Sequence, residues 1–112
     1  MDFSADDHDG ISRVVLRGKL DTPGVGEIET RFTATVVPPA RPAVVDLSDV
    51  DFVSSMGLRL LIGTARALAL RKAKLMLFGA QPLVAETLSS AGLLGLIPMA
   101  ADEAEALALA RA

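Results

Sequence analysis

The spacing of apolar residues predicts strands and a helix in the first third of the chain. The stretch "ISRVVLRGKL" alternates apolar and polar residues and follows the turn-forming "DHDG", so together with residues 3–5 it predicts a β-hairpin. The next apolar residues recur every three or four positions, which is typical of a helix with one buried face. These residues are Val25, Ile28, Phe32 and Val36. Because proline cannot continue a helix, we expect "PPARP" to end it.

The remainder of the chain repeats this alternation. The continuous apolar runs "AVVDL" and "KLMLF" are typical of buried parallel strands. Between the first run and a helix that begins at Ser55, "SDVDFV" is predicted to be a polar connection. "QPLVAETLSSAGL" predicts a helix with proline in its first turn and Gly92 at its end. "LIPM" predicts a brief strand, and "ADEAEALALARA" predicts a closing helix with acidic residues early and an arginine late.

The resulting order, β-β-α-β-α-β-α-β-α, predicts an α/β fold. Strands that alternate with helices form a largely parallel sheet, and the first two strands add an antiparallel hairpin. We therefore expect a sheet of about four to five strands and about four helices. The length of 112 residues predicts one domain that covers residues 1–112.

Composition narrows the classes of function. The chain is 51% hydrophobic and 22% charged, which is typical of a globular protein, and it has no cysteine. Its net charge is −3, and it has neither Trp nor Tyr, so we expect no nucleic-acid partner. We find no signal-peptide pattern and no apolar run long enough to cross a bilayer, so we expect a cytoplasmic protein without membrane insertion.

Two adjacent serines, Ser54 and Ser55, stand where a strand is predicted to meet a helix. Serine is a favoured helix cap that contributes about 1 kcal/mol, and position alone favours this interpretation. The alternative is a phosphate acceptor, because a helix N-terminus favours a phosphate and Gly57 leaves space for a close backbone. A phosphate would add about −1.5 to −2 charges, a large change in a chain of net charge −3. Such a change would act as a switch in a binding surface.

The segment "VVDLSDVDFVSSMGLRLLIGTARAL" resembles the signature of the STAS domain family, the bacterial anti-sigma factor antagonists. That signature is a hydrophobic strand, an aspartate turn, and then Asp/Ser-Ser-x-Gly-Leu at the start of a helix. The flanking segments "VVLRGKLDTPGVGEIETRF" and "KLMLFGAQPLVAETLSSAGLLGLIPM" are similar to the family's early strand and its last strands and helix. The resemblance therefore covers nearly the whole chain.

The resemblance implies a function and a phosphorylation site. Ser55, two residues before Gly57, matches the family's phosphorylated serine. In this family the unmodified form binds an anti-sigma factor that is also a serine kinase and so frees a sigma factor. Phosphorylation ends that binding, and a serine phosphatase restores it. The chain departs from the family at Ser54, where aspartate is frequent but serine occurs in many relatives, and Ser54 is thus an alternative site of modification. It also departs at Met56, where small residues are commoner, which implies a somewhat different partner surface.

The same resemblance implies a binding module and not an enzyme. We expect no cofactor, because ATP and magnesium would belong to the kinase, and we favour a monomer. A second hypothesis is a STAS-like accessory subunit of a membrane lipid transporter, which would hold an ATPase subunit with the same helix and would not depend on phosphorylation. The intact Ser55 and the acidic composition favour the antagonist.

Further residues are candidates for partner binding. Asp21 matches the family's aspartate at the start of the first helix, and a plain helix cap explains it equally well. On the second predicted helix, one apolar row is expected to face the core: Leu58, Leu61, Ile62, Ala65, Leu68 and Ala69. A second row runs beside it: Met56, Leu60, Gly63 and Ala67. Either this row widens the buried face, or Met56 and Gly63 form with Arg59 a partly exposed patch that a partner covers.

Acidic residues before the serines raise the question of a metal site. Asp46, Asp49 and Asp51 do not follow the "DxSxS" metal pattern, because Val50 occupies the position of the second serine. We therefore predict turn and cap roles for these aspartates and no metal. His8 is the single histidine, in an acidic turn, so a catalytic triad is not expected.

Overall fold

The computed structural model describes all residues of the chain and confirms the predicted order of elements. The strands are β1 (Asp2–His8), β2 (Ile11–Leu20), β3 (Ala43–Val53), β4 (Leu75–Phe78) and β5 (Met99–Ala100). The helices are α1 (Thr22–Val36), α2 (Ser55–Leu70), α3 (Pro82–Ser90) and α4 (Glu103–Arg111), with a 3-10 turn at Leu93–Gly95. No helix combines the length and the apolar character that crossing a membrane requires.

The five strands form one sheet in the order β1-β2-β3-β4-β5. β1 and β2 are antiparallel, and every other pair is parallel, as the sequence predicts. The hairpin turn places Asp9 and Gly10 at φ 53° and φ 83°, the left-handed pair that a tight two-residue turn needs. β1 continues to His8, so that residue lies at the end of a strand and not within the turn.

The core lies on both faces of the sheet. Helices α1, α2 and α3 pack on one face, where Phe32, Leu61 and Leu88 are completely buried against apolar residues of the strands. On the opposite face, α4 packs on β3, β4 and β5 and buries Ala106 and Leu107. This two-sided cover explains why the central strands are apolar runs without alternation.

The segment predicted to be a polar connection, residues 48–53, is the second half of β3. β2 is long enough to pair with it as far as the Leu20–Val53 pair. The pairing register shifts twice along β2, so the two-residue alternation that identifies a strand is interrupted. Val50 and Val53 are nevertheless buried. The predicted last strand is also displaced, because only Met99 of "LIPM" belongs to β5.

Candidate functional site

Two helices begin side by side where β2 and β3 end. Leu20, the last residue of β2, pairs with Val53, the last residue of β3. One residue follows each strand before the helix starts: Asp21 is the N-cap of α1, and Ser54 is the N-cap of α2. The carboxyl ends of neighbouring parallel strands are where α/β proteins commonly build their sites.

Both cap residues make the hydrogen bonds of their position. The Asp21 Oδ1 atom accepts from the Gly24 N–H at 2.8 Å. The Ser54 Oγ atom accepts from the Gly57 N–H at 3.4 Å and donates to the Leu20 carbonyl at 3.3 Å. The Ser54 N–H also donates to the Leu20 carbonyl, at 3.0 Å. The structure therefore confirms the capping role of Asp21 and Ser54.

Ser55 differs from Ser54 in its exposure and in the hydrogen bonding of its hydroxyl. It is the first residue of α2 and is exposed, whereas Ser54 is partly buried. The Ser54 hydroxyl is occupied by two hydrogen bonds, but the Ser55 hydroxyl makes none within the chain. An external group can therefore reach the Ser55 oxygen without breaking an interaction of the fold.

Two glycines allow the helices to start so close to β2. A Cβ atom on Gly57 would lie 2.4 Å from the Leu20 carbonyl oxygen, and one on Gly24 would lie 2.1 Å from the Lys19 carbonyl oxygen. Both distances are far below van der Waals contact, so only glycine fits. The close approach at Gly57 was predicted from the sequence, whereas the equivalent one at Gly24 was not. The shared spacing is the signal that could have found it, because each glycine stands three residues after its cap.

The second row of α2 is divided between core and surface. Leu60 is buried at 7% exposure, Met56 and Ala67 are partly buried, and Gly63 is exposed. A Cβ atom on Gly63 would meet nothing within 4 Å. Arg59 is exposed beside Met56, with its Nη1 atom 4.0 Å from the sulfur. Thus Met56, Arg59 and Gly63 share the outer side of α2, and the row is not a uniform core stripe.

The predicted core face of α2 needs a similar adjustment. Leu61, Ala65 and Leu68 are buried as expected, but Leu58 and Ile62 are only partly buried and Ala69 is exposed. Leu60 and Thr64 take up the remaining core positions. The Thr64 hydroxyl is satisfied there because it donates to the Leu60 carbonyl at 2.8 Å. The buried face is therefore rotated from the predicted one.

Comparison with known proteins identifies the family. The profile of the STAS domain matches residues 2–106. The chain belongs to the STAS domain family. It is 31% identical over 100 residues to BtrV of Bordetella bronchiseptica, a protein proposed to be an anti-sigma factor antagonist, and the match covers 89% of this chain and 86% of BtrV.

Solved structures show the same fold. An anti-sigma factor antagonist from Mycobacterium paratuberculosis superposes on this STAS domain with a TM-score of 0.88 and 28% identity, over 99% of this chain and 94% of the other. The unphosphorylated form of the anti-sigma factor antagonist SpoIIAA superposes with a TM-score of 0.75 and 21% identity, over 98% of each chain. SpoIIAA from Bacillus has also been solved in its phosphorylated form, which superposes with a TM-score of 0.66.

Charged side chains in this STAS domain are distributed unevenly. On the hairpin, Arg13 donates two hydrogen bonds to Asp6, at 2.8 and 3.0 Å. These bonds lower the pKa of the Asp6 carboxyl and raise that of the Arg13 guanidinium. Two further basic residues of β2 pair with β3, Arg17 with Asp49 and Lys19 with Asp51, both at 3.4 Å. No such pair forms on α2.

The three aspartates before the serines serve two separate roles. The Asp46 Oδ1 atom accepts from the Ser48 N–H at 2.9 Å, which is the predicted turn role. For Asp49 and Asp51 that prediction is wrong, because their carboxylates form ion pairs with basic residues of β2 instead of turn or cap hydrogen bonds. No group of three or more histidine, aspartate or glutamate side chains is arranged to hold a metal ion.

Proposed function

We propose that this STAS domain is an anti-sigma factor antagonist controlled by phosphorylation of Ser55. In its unphosphorylated form it binds an anti-sigma factor that is also a serine kinase, and so frees a sigma factor. The free, exposed hydroxyl of Ser55 beside the occupied hydroxyl of Ser54 carries the proposal. BtrV and the structural relatives support the general role. SpoIIAA, which has been solved with and without a phosphate, supports the control by phosphorylation.

The position of Ser55 suits a phosphate that leaves the fold intact. At the first helical residue of α2, a group of about −1.5 to −2 charges lies at the positive end of the helix dipole. Ser54 is a poorer acceptor, because a phosphate on its oxygen would remove the cap and the bond to the Leu20 carbonyl. The fold therefore tolerates the charge, and the effect falls on whatever docks against α2.

The partner surface in this proposal surrounds Ser55. Met56, Arg59 and Gly63 extend it along the outer side of α2, and Asp21 extends it towards α1. Gly57 is buried, so its part is to hold α2 against β2 and not to touch the partner. A serine phosphatase would approach the same exposed hydroxyl and restore the binding form.

The first test is a pull-down from a lysate of the native bacterium, with ADP and magnesium present, which compares the proteins that each immobilised variant retains. The chain and its Ser55→Asp variant are compared by mass spectrometry, and Ser4→Asp, an exposed change on β1, is the matched control. We expect the chain and Ser4→Asp to retain a small kinase-like ATPase and Ser55→Asp to lose it. Retention of the same partner by Ser55→Asp contradicts the proposal. Recovery of transporter subunits favours the accessory-subunit hypothesis.

A second step tests the acceptor directly. The recovered ATPase is purified and incubated with ATP and either Ser54→Ala or Ser55→Ala. We expect phosphate on Ser54→Ala, mapped to Ser55 by mass spectrometry, and none on Ser55→Ala. Phosphorylation of Ser55→Ala at Ser54 would move the switch by one residue and refute the assignment of Ser55.

A further inference from the structure

In one part of the chain, every charged residue is basic. Residues 52–85, which include all of α2 and β4, contain five of the eleven basic residues and none of the fourteen acidic ones. The five are Arg59, Arg66, Arg71, Lys72 and Lys74. Helix α2 itself therefore carries two basic side chains, Arg59 and Arg66, and no acidic one.

The basic side chains of α2 differ from those of the sheet in forming no ion pair. The basic residues of β2 and of the segment before β3 are ion-paired within the chain: Arg13, Arg17, Lys19 and Arg41. Arg59 and Arg66 are exposed and form no ion pair. Glu29 of α1 lines the groove beside Arg59, but it pairs with neither arginine. The fold therefore leaves the charge of both arginines available to another molecule.

Four residues of α2 form one exposed row, which we call the arginine row: Arg59, Gly63, Arg66 and Leu70. Their spacing places them on one side of the helix. The two arginines are seven residues apart, which is roughly 10 Å along the axis. Leu70 continues the row with 88% of its surface exposed. The arginine row thus consists of two cationic side chains with a glycine between them and an exposed leucine at its end.

Gly63 has no role inside the chain that the structure can explain. Nothing lies within 4 Å of the place where its Cβ atom would be, and no left-handed backbone requires a glycine there. Glycine in the middle of an exposed helix lowers stability relative to alanine. A glycine between two arginines allows another backbone to come close to α2 while acidic side chains of that backbone reach the cations.

We propose that the arginine row docks an acidic helix of the protein partner, with two carboxylates two turns apart that bind Arg59 and Arg66. This inference rests on the proposed function, in which that partner is the anti-sigma factor kinase. The two unpaired cations favour an acidic occupant, and two cations in a chain of net charge −3 are too few to hold the phosphate backbone of a nucleic acid.

The docked helix also explains the direction of the switch. Ser55 and Arg59 are four residues apart and so are neighbours on the surface of α2. A phosphate on Ser55 attracts the Arg59 guanidinium and places negative charge opposite the partner's carboxylates. Phosphorylation therefore removes one attractive contact and adds a repulsive one.

The test measures the affinity of the purified kinase for charge variants of the full chain by titration calorimetry, with ADP and magnesium. Arg66→Glu is compared with Arg111→Glu, an identical charge change on α4 across the sheet. Arg66 lies eleven residues from Ser55, so this variant leaves the phosphorylation site unaltered. We expect Arg66→Glu to weaken binding at least about tenfold and Arg111→Glu to leave it unchanged. Binding of the unaltered chain should weaken between about 50 and 300 mM salt.

The outcomes separate the inference from the proposed function. If the unaltered chain binds no kinase, the proposed function fails. If it binds and Arg66→Glu binds equally well, or salt has no effect, the proposed function stands and the acidic partner helix is refuted. Arg66→Gln, which should give a smaller loss than Arg66→Glu, and a thermal unfolding curve for each variant exclude a folding defect as the cause.

Discussion

The same substitution at two glycines of α2 should change stability in opposite directions. In Gly57→Ala the new methyl group would lie 2.4 Å from the Leu20 carbonyl oxygen and 2.8 Å from the Leu20 Cγ atom. The backbone oxygen cannot move away without distorting β2. We therefore expect the free energy of unfolding to fall by about 1–3 kcal/mol. In Gly63→Ala the methyl group meets nothing within 4 Å, and alanine is the better helix former. We expect the free energy of unfolding of Gly63→Ala to rise by about 0.5–1 kcal/mol.

The assay is equilibrium unfolding in urea followed by circular dichroism, supported by thermal unfolding. A domain of this size is expected to unfold in a single cooperative transition, so the free energies can be compared directly. The gain in Gly63→Ala corresponds to a rise in Tm of about 2–6 °C. If Gly63 contacts the partner as proposed, this more stable variant should also bind the kinase less well, which separates binding from folding.

Helix α1 offers a matched pair of controls. Gly24→Ala should be destabilising like Gly57→Ala, because its methyl group would lie 2.1 Å from the Lys19 carbonyl oxygen. Gly26 is exposed with open space around it, so Gly26→Ala should be stabilising. Wild-type stability in both Gly24→Ala and Gly57→Ala would refute the claim that close approach to β2 fixes the start of each helix.

Other residues give further tests. Ser54→Ala should lower the free energy of unfolding by about 0.5–1 kcal/mol through loss of the cap, whereas Ser55→Ala should not, as urea titrations would show. Asp6→Asn removes the carboxyl whose pKa is lowered by Arg13, so its stability cost should be present above the ordinary pKa of 3.8 and vanish once the pH falls below the lowered value. A cost that persists in acid would contradict this linkage. Phe32→Ala should cost about 3–5 kcal/mol, because the ring is completely buried; a loss below about 1 kcal/mol in urea would contradict that packing.

The sequence predicted the elements of this fold well, because each helix buries one face and the central strands, buried on both faces, are continuous apolar runs. The rows of α1 and the caps Asp21 and Ser54 are local features that a sequence displays directly. The second half of β3 was missed because it includes two exposed aspartates and its register with β2 shifts. Only the partner strand supplies the information that residues 48–53 are extended.

The candidate site shows a similar limit. The motif around Ser55 was visible in the sequence, but the difference between two adjacent serines was not, since it depends on the Leu20 carbonyl from a distant strand. The missing ion pairs of Arg59 and Arg66 were equally hidden, because pairing depends on which acidic residues the fold brings near. The sequence identifies the candidate site residues, and the tertiary contacts show which of them are free to bind another molecule.

The single-residue connections at Asp21 and Ser54 have a consequence for how such chains can vary in length. An added residue in either connection would rotate the following helix by about 100°, because a helix has 3.6 residues per turn. Its buried face would then point away from the sheet. The connections at the opposite end of the sheet, residues 37–42 and 71–74, are longer and so have more residues over which an insertion can be absorbed. We expect natural insertions, and any tag or fused domain, to be tolerated there and rejected beside Ser55.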